Sequence, residues 1–532
     1  MSTEEITVAE ADPVRDAAPF DEIAYLLAYP DIAESVRSGV WRSAREHSEA
    51  HGQAEGRLAD PRYRRLLGAG DTLGFVAGSV DVIYASPSGR CLIAGWAEDS
   101  DDAPLSQIGL RGAVEALGFT ENIARFVRED VAEASAGASG RMQGFWSLLT
   151  VQGLPGIRGS QGAATKLDVS LTAGSERRTF AARVEAVSDL RLRDIALGLL
   201  VRSRYAGDPT TMAFLQLDQG AGRALIDLNV QATRPLIAGA YVARFGDQRA
   251  SYEASIIVCL YGKPDFLMLQ AALFSALPGF DRYEFIYVCN SPELGERLTK
   301  DAVIACRTYG GSITLVLMPG NVGFGLANNV AANQARSGRL LLVNPDVLPR
   351  TPDWAALHET IVKNLPADQT ALFGVPLYYD DGALMHGGMY FELEECLALR
   401  GGRIIVREIL RTEHYGKGAP PATAEYSRAR AVPAVSGAFM SIDRAWFERL
   451  GGFSPEYIFG HYEDGDLCLR SLTAGKPAWI HDVPFWHLES RGSTRLPLHD
   501  GGRLVNRWNL TTRWGEFVKQ ELNGRRPRYF AA

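Results

Sequence analysis

The sequence predicts an α/β protein, built on a mostly parallel sheet flanked by helices. An antiparallel β-sandwich-like domain and a small helical N-terminal module precede it. Three observations predict this. From Ser251 onward, apolar strand-like runs alternate with amphipathic helix-like stretches. Across 74–186, short apolar runs are punctuated by turn residues. Across 20–57, apolar residues recur at helical spacing.

Residues 1–19 are acidic and polar and read as disordered; they lack the basic and apolar regions of a signal peptide. In the helical module, 20–70, Tyr25, Leu26, Ala28, Ile32 and Val36 give the periodicity, Pro30 breaks the run and Gly39 ends the second helix. His47 and His51 lie four apart, as on one helix face, but two histidines alone are a weak metal signal and packing is the favoured role. The β domain, 71–187, rests on VDVIYAS, CLIAGWAED, FWSLLTVQG, KLDVSLTAGS and TFAARVEAV. Trp96 could offer a sugar-stacking face, though a core role is favoured. Residues 188–248 read as a helical connector, 249–515 as the catalytic domain and 516–532 as a tail. In the catalytic domain ASIIVCLYG, YEFIYVCNS, ITLVLMPG and RLLLVNPDV are strands, with PDFLMLQAALFSAL and FGLANNVAANQARSG as helices.

A chain of 532 residues implies three or four domains at ~150 residues each. With 46% hydrophobic and 22% charged residues it has material for a large core. The net charge of -8 argues against broad nucleic-acid binding. The six cysteines form no CxxC pair, which disfavours a disulfide scaffold or zinc ribbon and fits a reducing compartment. No apolar run approaches the ~20 residues of a membrane span. A cytoplasmic location is expected, with peripheral association at the inner membrane left open; the oligomeric state is unknown.

In α/β sheets ligands sit at the carboxyl ends of the strands, and there the polar residues gather. Asn344-Pro345-Asp346 ends the buried run Leu340 to Val343. A carboxylate at such an exit is costly without a cation or a hydrogen-bond partner. Glu463-Asp464-Gly465-Asp466 enters a helix-like stretch far along the chain. Two acidic groups of this kind suggest one polar site holding a metal diphosphate and a general base, as sugar transfer from a nucleotide donor requires. Leu260, Tyr261 and Gly262 follow the first strand, where backbone can approach a nucleotide. Asn321-Val322-Gly323-Phe324-Gly325 opens a helix whose amides favour a diphosphate.

Four blocks in order, ASIIVCLYG, NVGFGLANNVAANQARSGRLLLVNPDV, VSGAFMSIDRAWFERLGGFSP and YEDGDLCLRSLTAGKPAWIHDVPFWH, make 251–495 resemble bacterial family 2 glycosyltransferases, nearest the rhamnosyltransferase-like branch. The resemblance does not extend to the β domain. It implies the type A glycosyltransferase fold and an inverting transfer from a UDP- or dTDP-sugar to a glycan or lipid-linked acceptor, with Mn2+ or Mg2+. It implies a role in surface or extracellular polysaccharide synthesis. By resemblance, Asp464 is the base and Glu463 and Asp466 support it or orient the acceptor. Asp346 stands in the Asp-x-Asp position as metal ligand, Asn344 replaces its first carboxylate, and His487 matches a histidine after the family's last strand, which can complete the metal site, meet the diphosphate or pair with a backbone carbonyl. Asn321, Gly325 and Asn329 lie near the donor, and Gly437 flanks the donor sugar. Cys289 stands where members often carry a nucleotide-contacting aspartate, so Asn290 is the substitute or a plain strand-end turn residue. Ser490, Arg491 and Ser493 could meet phosphate. Trp446 and Phe447 read as core, and Asp380, Asp381, His386, Gly387 and Gly388 as the acceptor side. Arg525, Arg526 and Arg528 form a basic tail, solvated or meeting an anionic headgroup. The rival readings are a sugar-nucleotide pyrophosphorylase, disfavoured by the lack of a basic glycine-rich run at 260–266, and a non-catalytic carbohydrate-binding scaffold, to which Cys289 and Asn344 lend weight.

Overall fold

The computed structural model describes residues 30–37, 40–52, 77–98, 104–112, 116–128, 143–151, 166–203, 208–366, 371–400, 403–421, 423–489, 491–494 and 496–522. The expected disordered segment 1–19, Ser490 and the tail arginines Arg525, Arg526 and Arg528 lie outside these residues. The chain divides into two compact units. One comprises Met1–Leu73, Gly207–Met212 and Cys396–Arg407; the other comprises Gly74–Ala206, Ala213–Glu395 and Glu408–Ala532.

In the first unit the helix Pro30–Arg37 precedes a short helix, Ala44–His47, that continues as a π turn over Ser48–Gly52. Ser43 caps the second helix by accepting from the Glu46 amide at 3.1 Å. His47 and His51 pack around the Trp41 ring, with centroids 5.2 and 5.1 Å away, which fits a packing role.

The second unit holds two large sheets. Strands β1 (Ala77–Ala85), β2 (Arg90–Glu98), β3 (Leu105–Arg111), β4 (Ala116–Thr120), β5 (Ala124–Phe126), β6 (Gly144–Thr150), β7 (Lys166–Ala173) and β8 (Glu176–Ala186) form an eight-stranded sheet ordered β4-β3-β7-β8-β1-β2-β6-β5. Neighbours are antiparallel except β1 and β8, which run parallel. Ile83, Ile93 and Phe145 from one half share a core with Ile108, Val169 and Leu171 from the other. Trp96 is half-buried and is not a core residue; within this sheet Trp146 is the buried tryptophan.

Three helices follow, Asp189–Arg202, Pro209–Gln216 and Gly222–Ala238. The next segment, β9 (Tyr241–Gly246), is not helical connector: it pairs antiparallel with β12 (Ser312–Leu317) as an edge strand. With β10 (Ala254–Leu260), β11 (Tyr283–Cys289), β13 (Arg339–Val343), β15 (Leu372–Gly374), β20 (Arg430–Val432), β21 (Phe439–Asp443) and β22 (Ala478–Ile480) it builds a nine-stranded sheet ordered β20-β22-β15-β21-β13-β10-β11-β12-β9. The expectation of a mostly parallel sheet holds for the central strands β13, β10, β11 and β12 and for the pair β15 and β22. β21 runs antiparallel to β13 and β15, and β20 antiparallel to β22, so the sheet is mixed. The strands after β13 come from short runs whose direction the apolar pattern does not encode.

Side chains alternate between two cores, as the period of a strand requires. Ile256, Val258 and Leu260 face one core, shared with the helices Phe266–Phe274, Gly295–Tyr309 and Trp354–Asn364. Ile257, Cys259, Ile286 and Val288 face the other, shared with Phe324–Ala332, Arg444–Arg449 and Glu463–Thr473. Trp446 and Phe447 are buried in that second core. A smaller sheet, β14 (Val347–Pro349), β23 (Phe485–His487), β16 (Leu377–Tyr378) and β17 (Leu384–His386), lies where the chain leaves β13. The hairpin strands are β18 (Met389–Arg400) and β19 (Arg403–His414). The helix Pro497–Phe517 closes the described chain and extends through a π turn to Leu522. No helix among the described residues is long and apolar enough to cross a membrane.

Candidate active site

Tyr261, Asn290 and Asn344 each follow a parallel strand at its carboxyl end, and Asn321 follows β12 by a short turn. The turn Ser436-Gly437-Ala438, entering β21, ties the far-separated motifs together. The Asn344 amide donates to the Ala438 carbonyl at 2.8 Å. The Gly437 amide donates to Asp464 Oδ2 at 2.8 Å, and the Ser436 amide donates to His386 Nε2 at 3.4 Å. A Cβ on Gly437 would lie 3.3 Å from Asp464 Cβ and from Phe324. Glycine therefore lets the turn touch the carboxylate. Asp464 is half-buried, and its Oδ1 also accepts from the Gly465 amide at 2.8 Å. It sits in the first turn of its helix, where amides and dipole favour a carboxylate.

Asp346 is 3% exposed. Its Oδ2 accepts from the amides of Gly492 at 2.8 Å and Arg491 at 3.1 Å. The antiparallel register Val347↔His487 puts His487 beside it, with Nε2 3.5 Å from Oδ1. Burial pushes the Asp346 carboxyl up, but His487 and the Gly492 amide outweigh it and hold it below the usual carboxylate range. Among the described residues, no group of three or more His, Cys, Asp or Glu side chains could hold a metal ion. Asp346 and His487 could offer two donors to a cation. One carboxylate and one imidazole fit a partial shell for Mn2+, completed by phosphate or water oxygens, better than an all-oxygen Mg2+ site. Asn344 is half-buried; its carbonyl accepts from Gln270 Nε2 at 3.2 Å, which anchors the triplet's backbone.

Several expected donor contacts are scaffold instead. Leu260 is fully buried and its carbonyl is taken by the Asn290 amide at 2.9 Å. Asn290 is 2% exposed and faces inward: Nδ2 donates to Asn321 Oδ1 at 2.9 Å and Oδ1 accepts from the Val322 amide at 3.0 Å. It braces the 321–323 loop rather than standing in for a nucleotide-contacting acid. Cys289 is buried, with Sγ donating to the Ser291 carbonyl at 3.0 Å. Asn329 spends both amide atoms on the backbone of Phe453, donating to its carbonyl at 2.8 Å and accepting from its amide at 2.9 Å. Gly325 is the glycine that lets Phe453 approach, since a Cβ there would lie 2.9 Å from it.

Tyr261 and Asn321 are half-buried at the strand ends. Burial raises the Tyr261 phenol, with the Asn321 side chain opposing it. Gly262 has φ +69°, and a Cβ there would lie 2.2 Å from Thr494 Oγ1. That is where the 491–494 segment crosses the first strand's exit, pinned by Thr494 N–H to the Tyr261 carbonyl at 3.3 Å. Arg491 and Ser493, expected near phosphate, lie on this segment and are exposed.

Glu463 and Asp466, expected to support the base or orient the acceptor, are both buried. Asp466 is wholly buried, paired with Arg470 Nε at 2.8 Å and accepting from Trp514 Nε1 at 2.8 Å. It anchors the C-terminal helix. Glu463 is 5% exposed with Oε2 unpartnered. Burial pushes its carboxyl well above the usual range, and the charges of Asp464 and Asp466 add to this. Asp380 and Asp381 are exposed turn residues; Asp381 accepts from the Ala383 amide at 2.9 Å. His386 is buried, with Nδ1 2.9 Å from His414 Nδ1. His414 escaped the sequence reading, and so did Gly492 and Asn506. A histidine closing a hairpin strand was the only signal among them.

No family model matches the chain. One curated relative, an uncharacterized protein named y4gI from Sinorhizobium fredii, is 29% identical over 174 residues. The match covers 32% of this chain and 18% of that protein's length. Among solved structures, the mannosyltransferase PcManGT from Pyrobaculum calidifontis in complex with GDP-Man and Mn2+ is 16% identical, covering 56% of this chain and 70% of that one, with a TM-score of 0.32. GalNAc-T7 with UDP, GalNAc and Mn2+ is 14% identical, covering 50% and 49%, with a TM-score of 0.34. At these identities and scores the likeness is distant and identifies neither a family nor an activity.

Proposed function

We propose that this chain is an inverting glycosyltransferase with a type A fold, moving a sugar from a UDP- or dTDP-activated donor to a glycan or glycolipid acceptor. Its product would belong to a surface or extracellular polysaccharide assembled from the cytoplasmic side. The observation that carries this reading is the Ser436-Gly437-Ala438 turn. It binds Asp464 through one amide and the Asn344 backbone through one carbonyl, joining two acidic motifs more than 100 residues apart.

Asp464 accepts the acceptor hydroxyl's proton as that oxygen bonds to the anomeric carbon; the bond from that carbon to the diphosphate oxygen breaks, and the nucleoside diphosphate leaves with the electron pair. General-base catalysis of this kind is worth roughly 100- to 10,000-fold. The Gly437 amide orients the carboxylate, and the half-buried setting limits competing water. Asp346 and His487 would hold a divalent cation, Mn2+ by donor chemistry, which supplies positive charge against the departing diphosphate. Tyr261 and Asn321 are the surface groups at the nucleotide end.

The test is hydrolysis of, and transfer from, a panel of nucleotide sugars with and without Mn2+. A metal-dependent loss of one donor is expected. Asp464→Asn should abolish turnover while donor binding survives. Tight oligosaccharide binding with no donor consumed would favour the scaffold reading instead.

A further inference from the structure

The segment that delivers Asp464 is strained. Phe459, His461 and Tyr462 have φ of 60°, 76° and 73°, and none is glycine. Such backbone persists only where the surroundings over-determine it. The over-determining group is one side chain, Asn506, on the C-terminal helix Pro497–Phe517 and wholly buried. Its Oδ1 accepts from the Ile458 amide at 2.7 Å. Its Nδ2 donates to the carbonyls of Ile458 at 2.9 Å, Gly460 at 2.8 Å and His461 at 3.1 Å. The orientation of the amide is not ambiguous: a flip would set Oδ1 against three carbonyl oxygens.

The rest of the helix's first half reinforces this hold. A Cβ on Gly502 would lie 3.2 Å from the Ile458 carbonyl, so glycine brings helix and loop into contact. The Phe459 ring lies between the Arg193 guanidinium, 4.5 Å away, and the His499 ring, 4.9 Å away. The Phe459 carbonyl accepts from the Phe324 amide, linking this loop to the glycine loop that opens at Asn321.

We propose that Asn506 is a positioning residue that acts through Asp464. It locks the left-handed 459–462 turn and so sets where the helix begins and which way the Asp464 carboxylate faces. This rests on Asp464 being the base. Asn506 touches no substrate; removing it frees the loop to relax, and the carboxylate moves out of register with the incoming hydroxyl.

The experiment uses the full chain with the donor that the wild type consumes in Mn2+. Asn506→Ala should lower kcat by about 10- to 100-fold, the loss expected from misplacement on the order of an ångström. Donor KM should change little. Amide exchange at Ile458 should accelerate. Thr511→Val is the control: it removes the bond from the Leu410 amide at 3.1 Å on the same helix without touching the loop. It should lower Tm and leave kcat intact. Equal kcat losses in Asn506→Ala and Thr511→Val would overturn the proposal, as would unchanged Ile458 exchange in Asn506→Ala. If the wild type consumes no donor, the base assignment falls, and the Ile458 exchange rate alone decides whether Asn506 holds the loop.

Discussion

Gly492→Ala tests the environment of Asp346 most directly. Gly492 does not have a positive φ, so alanine meets no backbone penalty there. The cost is steric. A Cβ at 492 would lie 2.8 Å from Asp346 Cγ and 2.7 Å from Oδ1. Two carbons prefer about 3.5 Å or more, so the carboxylate must retreat by about 0.7 Å. It is 3% exposed and has little room to retreat without stretching its 2.8 and 3.1 Å amide bonds. A hydrogen bond to a charged group contributes about 1.5–3 kcal/mol, so loss of one predicts destabilisation of that size. If Asp346 grips a cation, the same displacement should weaken Mn2+-dependent nucleotide binding at least about tenfold, since 1.4 kcal/mol is a factor of ten. Calorimetric titration of UDP with Mn2+, with Tm measured alongside, reads both effects. Gly338→Ala is the matched control, because nothing lies within 4 Å of a Cβ there. Wild-type Tm and affinity in Gly492→Ala would refute the reasoning that these amides set the carboxylate.

Two more outcomes follow from the buried carboxyls. Glu463 is held above its ordinary pKa by burial, so the folded chain binds its proton more tightly than the unfolded chain, whose glutamate titrates near ~4.3. That contribution is complete below the unfolded value and is lost as pH rises toward the folded one. Glu463→Gln should therefore gain stability over the wild type progressively above about pH 4.3, and parallel urea-unfolding midpoints at pH 5, 7 and 9 would count against it. Asp466→Ala removes the wholly buried partner of Arg470 and Trp514 and should cost about 3–5 kcal/mol. A loss below ~1 kcal/mol by chemical unfolding would show that the ion pair is dispensable.

Asp346 and Asp464 stand out in the sequence because each belongs to a local pattern: an apolar strand run ending in a carboxylate, and a helix opening on acids. The central strands were legible for the same reason, since their apolar runs are long enough to demand burial on both faces. Asn290, Gly325 and Asn329, expected near the donor, have scaffold roles that the sequence did not reveal. Polar residues in a glycine-punctuated loop look alike whether they bind a phosphate or a neighbouring backbone, and the bond to Phe453 spans 124 positions. The acidic block contains three carboxylates in four residues, yet the helix turns them to different surroundings. Asp464 meets the Gly437 amide, Asp466 meets Arg470, and Glu463 is buried with one oxygen unpartnered.

By itself the sequence determined which segments must be buried and in what period, and so the α/β core and the strand ends where polar groups gather. Hydrophobic periodicity is local and survives in one dimension. Only tertiary structure decided the direction of the later strands, the Asp346–His487 pairing and the grip of Asn506 on a loop nearly fifty residues upstream. Those depend on register and on which backbone groups remain unsatisfied once the chain has folded, and neither quantity exists before it does.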